Sequence, residues 1–419
     1  RLVQDALLEY GAAPGPGRGV TVARALEGLM VLDLATFVAA PFCCTLLGEF
    51  GAGVIKVEQP GKGDDLRRLG TPAAEGLSYW WLTESRNKKS ITCNLRAPEG
   101  QALIRRLAAE ADILAENFRP GTMERWNLGW EDLHAVNRGL VMVRISAFGQ
   151  TGPYRERPGF GRIAAAVSGV SYISGHPDRP PVSPGTPTIP DYLAGTMGAL
   201  GALVALQHRQ RSGEGQVVDV ALYEPMLRML DEMIPAYAGA GRVRERIGSG
   251  TEYVVPHNHY QASDGGWIAI ACTNDRMFEP LVVDAIGQPQ LLAEVGTMQE
   301  RIRRRDARDA AVQDWVGKAD ARTVLARLDA AEVPCGPINS VRDLFQDPQV
   351  RARENIVEFP SPLGGLLAMA GIVPKLSATP GRVESLGPVT PGAHNEEIYC
   401  GRLGLSREDL AALRQKGVI

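Results

Sequence analysis

One carboxylate in the sequence has a setting that could support nucleophilic chemistry. Asp191 follows Pro190 and begins an apolar stretch, DYLAGTMGALGALVALQHRQ, which predicts a helix over 191–210. A lone Asp in this setting is most often an N-cap, because its carboxylate accepts the unpaired N–H groups of the first turn. The same helix end keeps a carboxylate ionised, and its N–H groups can bind an oxyanion. Asp191 is therefore predicted to be an N-cap, a nucleophile or both.

Basic side chains recur near the predicted strand ends and suggest a ligand that carries phosphate. They are Arg67, Arg68, Arg86, Lys88, Lys89, Arg96, Arg119 and Arg125. Ligands of doubly wound α/β folds bind at the carboxyl ends of the strands, where such cations would meet them. Solvated surface charge is the alternative explanation for any one of these residues. The residues alone thus predict an α/β enzyme with a phosphorylated ligand, and they do not specify a reaction.

Other short motifs do not support a defined chemistry. Residues 257–259 spell HNH, but the nuclease motif needs a ββα metal context, so polar loop side chains are the simpler interpretation. The GSG at 248–250 is a partial match to the serine hydrolase motif and lies in a predicted loop. Cys335 has no nearby His to hold a thiolate, which favours a packing role. The first strand is not followed by GxGxxG, and the chain contains neither a P-loop motif nor a zinc-type Cys/His spacing.

The elements that must position these residues alternate between strands and helices. Buried-type strands are predicted at 28–35, 53–60, 91–96, 112–118 and 140–148, with helices after Pro41 and over 98–111. Such βαβ units require a parallel sheet, so we predict an α/β fold with a large doubly wound parallel-sheet domain. A strand pair around Asp264-Gly265-Gly266 and charged helices predict a smaller α+β domain within 253–345. The last helix is predicted to start at Ser406, with Asp409 at its third position.

Composition sets further limits. A chain of 419 residues favours two or three domains. The formal charge of −3 gives no electrostatic reason to expect nucleic acid or an anionic membrane as a partner. Since no run of 18 or more apolar residues occurs, we expect no membrane-spanning segment. Six dispersed cysteines predict reduced thiols in the cytoplasm, and residues 1–26 are expected to form a helical tail and a linker.

Several longer stretches resemble the family III CoA-transferases (the CaiB/BaiF group), which includes formyl-CoA transferases and acyl-CoA racemases. They include GLMVLDLATFVAAPFCCTLLGEFGAGVIKVEQPGKGDDLR, ADILAENFRPGTMERWNLG, SAFGQTGPYRERPGF and DYLAGTMGALGALVALQHRQRSGEGQVVDVALYE, and the resemblance extends over residues 27–419. It implies a discontinuous large CoA-binding domain (27–225 and 346–419), a small domain with its linker (226–345) and a dimer whose two chains are threaded through each other like rings. The long connections at 211–252 and 346–392 would then run between the domains.

The resemblance also implies site residues. Asp191, with Gly195 completing D-x-x-x-G, matches the family's nucleophile. The matching CoA contacts are Val38, Ala39, Cys93, Arg96, Asn117, Phe118, Arg119 and Arg125. Gln59 stands where formyl-CoA transferase has a phosphate-contacting Arg, which weakens that contact here. The implied ligand is a CoA thioester acting as substrate, with no prosthetic group and no metal.

Two departures narrow the implied activity. Phe160, in Gly159-Phe160-Gly161, replaces the His that racemases use as a second acid–base group, and Val38 replaces a Gln of formyl-CoA transferase. We therefore expect CoA transfer between carboxylic acids, from succinyl-CoA to a dicarboxylate such as malate or citramalate. Arg244, Arg246, His257 and His259 are candidates for binding a second carboxylate. The alternatives are a non-catalytic CoA-binding subunit of a heteromer, and an acyl-CoA racemase.

Overall fold

The computed structural model describes residues 24–419. The expected helical tail at 1–26 lies almost entirely outside this range. The strands of the described part are β1 Met30–Asp33, β2 Gly53–Glu58, β3 Pro72–Ala74, β4 Leu77–Ser78, β5 Lys88–Thr92, β6 Ile113–Glu116, β7 Val141–Ser146, β8 Val217–Ala221, β9 His257–Gln261, β10 Trp267–Ala271, β11 Cys335–Pro337, β12 Ile356–Pro360 and β13 Leu366–Ala370.

The α-helices fall between these strands and after them. They are α1 Ala39–Glu49, α2 Tyr79–Glu84, α3 Pro98–Ala108, α4 Thr122–Arg125, α5 Trp130–His134, α6 Gly161–Val167, α7 Val170–Ile173, α8 Ile189–Ser212, α9 Tyr223–Arg228, α10 Met233–Ala240, α11 Asp275–Pro280, α12 Gln290–Val295, α13 Met298–Arg303, α14 Arg305–Val316, α15 Ala321–Ala330, α16 Val341–Gln346, α17 Pro348–Ala352 and α18 Arg407–Gln415. A 3₁₀ turn, Asp65–Arg68, and two π-helical turns, Leu281–Ala285 and Glu396–Arg402, complete the set.

A six-stranded parallel sheet organises the first half of the chain. Its order is β5-β2-β1-β6-β7-β8, so the chain builds outward from β1 to one edge and then returns to build the other half from β6. The predicted doubly wound parallel sheet is confirmed. This is the strand order of dinucleotide-binding folds, although the turn after β1 lacks their glycine motif. The order reverses between β1 and β6, and ligands of such sheets bind at the carboxyl ends of the strands at that point.

Both faces of the sheet are covered by apolar cores. On one face the core includes α3 and the C-terminal residues, and Ile398, Tyr399 and Leu410 are buried there. On the other face α1 and α8 pack against β6 and β7. Gly195 permits the close approach of these two helices, because a Cβ there would lie 2.5 Å from the carbonyl oxygen of Ala39. Helix α8 is thereby fixed by its first turns against the start of α1.

A separate core surrounds the antiparallel sheet β11-β10-β9 and includes residues of α14 and α15. The predicted hairpin at 264–266 is confirmed, and Asp264 accepts the N–H of Gly266 in the turn at 3.1 Å. The predicted capping pair at the last helix is also observed, with Ser406 and Asp409 accepting each other's backbone N–H groups. Strands β12 and β13 form a two-stranded sheet of their own. How the chain divides into domains remains a prediction.

Two expectations need correction. The strand predicted at 91–96 is β5, Lys88–Thr92, because the buried pairing partners of β2 begin at Lys88. By length and composition, helix α8 could cross a membrane, contrary to the expectation from apolar runs. Its small residues Gly195, Gly198, Ala199 and Ala202 are buried against the sheet and α1, as in a core helix.

Candidate active site

The two loops at the point where the strand order reverses are joined directly. The backbone N–H of Thr36, after β1, donates to Asn117 Oδ1 at 2.8 Å, and Asn117 Nδ2 returns a hydrogen bond to the carbonyl oxygen of Thr36 at 2.7 Å. Asn117 follows β6, so this single side-chain amide joins the loop after β6 to the loop after β1. Asn117, which the sequence suggested as a CoA contact, therefore fixes the backbone of Thr36.

Two adjoining cavities of about 220 Å³ each open between these loops. They share Thr36 and Phe118, and the ring of Phe118 packs edge-on against Trp126 at 5.0 Å between centroids. One cavity also contains Gln59, Cys93 and Arg96. The other is lined in addition by Phe37, Asn117, Arg119, Arg155, Arg157, Gly159 and Phe160. A third cavity of about 600 Å³ continues past Arg119 and reaches Arg125.

Most of the predicted CoA contacts meet in this groove, and two of its cations are unpaired. The guanidinium groups of Arg96 and Arg119 make no hydrogen bond or ion pair with any residue in 24–419, whereas Arg125 donates to Thr122 Oγ1 at 2.9 Å. Burial raises the pKa of the Cys93 thiol to about 12, so this side chain is a neutral wall of the cavity. Arg96 and Arg119 are thus available for an anionic ligand.

Val38 and Ala39 occupy the start of α1, and their side chains are buried. Val38 packs with Leu66 and Trp81, and neither Val38 nor Ala39 lines the cavities described above. Sequence reasoning pointed to these two residues and missed their neighbours Thr36 and Phe37, which do line the groove. The polar surroundings of Thr36 carry no local sequence signal, because its partner Asn117 is 81 residues away.

Asp191 lies at the same edge of the sheet, in the first turn of α8, and it is not the N-cap. Helix α8 begins at Ile189 after Thr188, so Asp191 is the third helical residue. Pro190 explains the earlier start, because its missing N–H and fixed φ suit the first helical turn. No ion pair reaches the Asp191 carboxylate from any described residue, and burial raises its pKa to about 6. The group is largely ionised at neutral pH and lacks a fixed counter-charge.

The segment Gly159-Phe160-Gly161 connects the groove to Asp191. A Cβ on Gly161 would overlap both Asp191 Oδ2 and the carbonyl oxygen of Pro187, so only glycine fits beside the carboxylate. Phe160 is 69% exposed, and its ring meets that of Phe37 edge-on at 6.3 Å. Two aromatic rings therefore line the groove where this segment leads to the carboxylate, and position 160 holds no acid–base group.

Five of the cations that the sequence suggested as phosphate contacts are already paired. Arg67 is buried against Glu58, and Lys88 against Asp33. Arg68 binds Asp65, Arg86 binds Glu49, and Lys89 binds Glu397. Residues 86–89 were expected near a strand end, and they precede and begin β5, so they lie toward the amino edge of the sheet. All five side chains already have a carboxylate partner, and a ligand contact for any of them stays a prediction.

The residues proposed for a second carboxylate are also placed elsewhere. Arg244 pairs with Asp231 at 3.6 Å, and Arg246 donates to the carbonyl oxygen of Tyr172 at 2.7 Å. His257 and His259 lie on β9, and none of these four residues lines the groove.

The HNH triplet and Cys335 show no sign of a separate site. Asn258, between the two histidines, is hydrogen-bonded to Asp309 and Ser249, and no cluster of three metal-ligating side chains occurs in residues 24–419. The pKa of Cys335 is raised to about 11, first by burial and then by Asp329, which fits the predicted packing role.

Comparison with known proteins gives a consistent result. The family model for CoA-transferase family III matches residues 26–395. The beta subunit of succinyl-CoA–L-malate CoA-transferase from Chloroflexus aurantiacus is 48% identical over 405 residues, which cover 96% of this chain and 100% of that protein. Succinyl-CoA–D-citramalate CoA-transferase from the same organism is 47% identical over 94% of this chain and 98% of that protein. The crystal structure of a CaiB/BaiF family protein from Brucella suis is 32% identical and superimposes with a TM-score of 0.81, covering 90% of this chain and 99% of that one. With this agreement in sequence and fold, the chain belongs to CoA-transferase family III.

Proposed function

We propose that this enzyme transfers CoA from succinyl-CoA to a dicarboxylic acid such as malate or citramalate, with Asp191 as the nucleophile. Relatives of 45–48% identity that span nearly the whole chain are named for these substrates. The observation that carries the chemical part is the Asp191 carboxylate, which is ionised, partly buried and unpaired beside the groove. A carboxylate held by an ion pair would be a weaker nucleophile than this one.

The reaction proceeds in balanced acyl transfers. An Asp191 oxygen attacks the thioester carbonyl of the donor, giving a mixed anhydride and releasing CoA thiolate. The thiolate attacks the aspartyl carbonyl, so that an aspartyl-CoA thioester forms and the donor acid leaves as its carboxylate. The acceptor carboxylate then attacks this thioester, which gives a second anhydride, between Asp191 and the acceptor, and releases CoA thiolate. The thiolate attacks the acceptor's carbonyl in this anhydride, so that the acceptor leaves as its CoA thioester and Asp191 is regenerated as a carboxylate. No proton is transferred in any of these steps, which fits a site without a second acid–base group.

The groove offers separate places for the parts of the substrate. Arg96 and Arg119 are the unpaired cations for the CoA phosphates, and Arg96 shares its cavity with Gln59, which replaces a cation of related enzymes. Arg155 and Arg157 line the cavity beside Gly159, and we assign them to the second carboxylate of a dicarboxylate. Arg155 would exchange its 3.4 Å pair with the exposed Glu156 for that contact, and the Arg157 guanidinium stacks on the ring of Tyr154. Arg244, Arg246, His257 and His259, which the sequence suggested for this role, do not line the cavity. In this arrangement the rings of Phe37 and Phe160 help to exclude water from the reactive anhydride.

Assembly is part of the proposal. Relatives at 45–48% identity are named as alpha and beta subunits of one CoA-transferase, so the chain acts either as a threaded homodimer or with a related subunit. The alternative of a non-catalytic subunit is disfavoured by the intact Asp191 and its open setting. Racemisation is disfavoured because Phe160 cannot exchange a proton.

The test follows the aspartyl intermediate. Purified enzyme is incubated with succinyl-CoA and then with hydroxylamine, and the modified peptide is identified by mass spectrometry; we expect labelling at Asp191. Asp191→Ala should lose at least about 1,000-fold in kcat, as expected when a covalent step is removed. CoA transfer that persists in Asp191→Ala would refute Asp191 as the nucleophile, and inactivity of the wild-type chain alone would favour the heteromer.

A panel of malate, citramalate, glutarate and acetate as acceptors tests the preference for dicarboxylates. Exchange with acetate alone would contradict that preference.

A further inference from the structure

We propose that four buried charges, Asp33, Lys56, Asp64 and Lys88, act as positioning residues that hold the turn between β1 and α1 in the conformation the acyl-CoA site needs. We name them the turn cluster. This inference rests on the proposed function, since the turn carries Thr36 and Phe37, which line the groove. None of the four cluster residues lines the groove, and they have no role in the chemical steps described above.

The turn cluster is a closed set of ion pairs in the core. Lys56 Nζ lies 2.9 Å from Asp64 Oδ2 and 3.4 Å from Asp33 Oδ1, and Lys88 Nζ lies 2.9 Å from Asp33 Oδ2. All four residues are no more than 3% exposed. The neighbouring carboxylates raise the pKa of Lys56 despite its burial, so its charge is retained. Two positive and two negative groups leave the set neutral.

Each end of the turn is bound to this cluster through its backbone. Lys56 Nζ donates to the carbonyl oxygen of Ala35, and Asp64 Oδ1 accepts the N–H of Phe37 at 3.2 Å. Lys88 Nζ donates to the carbonyl oxygen of Pro41, in the first turn of α1, at 2.6 Å. The charges thus hold backbone groups before, within and after the residues that face the ligand.

Phe37 is the residue that needs this support. Its φ is +63°, a left-handed conformation that is sterically unfavourable for a bulky residue. Such a conformation persists only where the surroundings fix it. The Phe37 ring in turn contacts Phe160, whose neighbour Gly161 meets the Asp191 carboxylate. A shift of the turn would therefore displace one wall of the groove and the ring beside the nucleophile.

Stability alone does not account for these charges. Desolvating buried ions is costly, and apolar side chains of similar volume often give an equal or more stable core. An apolar replacement could not bind the three backbone groups of the turn, so the ion pairs supply geometry that packing alone does not. Mispositioning of a binding wall by about 1 Å can reduce catalysis by about a hundredfold.

The other end of α1 provides a matched control. Glu49, the last residue of the helix, is buried and pairs with Arg86, which also donates to the carbonyl oxygen of Ala370 at 3.0 Å. This pair resembles the turn cluster in burial and chemistry, but it lies away from the groove. Glu49→Gln and Asp64→Asn each remove one buried negative charge with almost no change in shape. The comparison separates a general cost to the core from a specific effect on the turn.

The experiment measures steady-state kinetics with succinyl-CoA, the Kd for CoA by calorimetry, and the thermal midpoint for both variants. We expect Asp64→Asn to lower kcat/KM by about 10- to 100-fold and to weaken CoA binding, while Glu49→Gln keeps both close to wild type even where its midpoint falls. Equal kinetic effects of the two variants, or an unchanged kcat/KM in Asp64→Asn, would overturn the proposal.

A second variant covers the case in which Asp64→Asn does not fold. Lys88→Gln removes the ammonium but keeps an N–H that can point toward Pro41, and we expect a smaller loss of kcat/KM in the same direction. A Lys88→Gln enzyme with wild-type kinetics would also overturn the proposal. Failure here is distinguishable from failure of the proposed function: if Asp191→Ala is inactive while Asp64→Asn matches Glu49→Gln, only the positioning role is lost.

Discussion

The two edges of the parallel sheet each carry a cavity lined by basic residues, and they differ in what those residues contact. At the amino edge, a cavity of about 720 Å³ lies around the starts of β1 and β2, and its cations Arg24, Lys89 and Arg402 are ion-paired with Glu384, Glu397 and Glu110. At the carboxyl edge each of the three cavities is smaller, but the guanidinium groups of Arg96 and Arg119 have no partner within the described part of the chain. Unpaired charge, more than cavity size, therefore distinguishes the proposed ligand site from the cavity at the amino edge.

The difference extends to the loops. At the carboxyl edge a side-chain amide and buried ions fix the turns after β1 and β6, and Phe37 adopts a left-handed conformation. At the amino edge Gly401 has no atom within 4 Å of the place where a Cβ would stand. The edge proposed to bind the ligand is thus closely built around Asp191, and Gly401 is an uncrowded position at the other edge. Substitutions at matched positions can test this contrast.

Among the substitutions that compare the two edges, Gly161→Ala should have the largest effect on catalysis. The added methyl group would overlap Asp191 Oδ2 and the carbonyl oxygen of Pro187, so the carboxylate or the segment beside it must shift. We expect kcat to fall by about a hundredfold or more, because the nucleophile loses its attack geometry. Gly401→Ala is the control at the amino edge and should leave kcat unchanged. Single-turnover formation of the aspartyl adduct measures the effect, and normal adduct formation in Gly161→Ala would contradict the close fit.

A smaller effect is expected when the unpaired cations are removed. Arg96→Ala and Arg119→Ala should each raise KM for succinyl-CoA about tenfold, because a charge-assisted contact to phosphate contributes about 1.5 kcal/mol or more. Arg402→Ala, which breaks an ion pair at the amino edge, should leave KM unchanged. Initial rates at low and high ionic strength check this, since the wild-type KM should rise with salt more than that of the variants. If Arg402→Ala raised KM as much as Arg96→Ala, the ligand would lie at the other edge.

Much of the fold could be predicted because its signals are local. Apolar strands, the Asp264-Gly265-Gly266 turn and the Ser406 cap each depend on a few adjacent residues, and all three are observed. The limits of a strand depend on tertiary contacts: β5 begins at Lys88, a charged residue whose burial depends on Asp33, 55 residues away. A sequence pattern treats such a lysine as solvent-exposed, and only the tertiary ion pair reverses that expectation.

The candidate site residues also fall into those with a local sequence signal and those that depend on distant partners. Asp191 was found from its place at a helix start, although Pro190 moved that start two residues earlier than expected. Basic residues could be recognised, but which of them are free depends on partners distant in sequence, as with Arg86 and Glu49. Thr36, Phe37 and Gly161 could not be identified, because their roles depend on contacts with Asn117, Asp64 and Asp191 that only the folded chain creates.

The last contrast between the two edges concerns the effect of one carboxylate at each edge on stability, and we expect no such effect on transfer kinetics at the amino edge. Burial raises the pKa of Asp191 from 3.8 to about 6, so below pH 4 the folded and unfolded states both hold its proton. Between pH 4 and 6 the unfolded state ionises first, and stability is progressively lost as the pH rises. At 1.36 kcal/mol per pKa unit, the loss reaches at most about 3 kcal/mol above pH 6.

Asp191→Asn should therefore be more stable than the wild type at pH 7 by up to about 3 kcal/mol, with a difference that disappears near pH 4. Glu397→Gln is the control, because Glu397 is exposed and ion-paired with Lys89, and it should change stability by no more than about 0.5 kcal/mol. Urea unfolding of both variants at several pH values measures the difference. A carboxylate kept unpaired for nucleophilic attack should lower the free energy of unfolding in this way. An Asp191→Asn enzyme that is no more stable than wild type at pH 7 would mean that another group in the folded enzyme already stabilises the Asp191 charge.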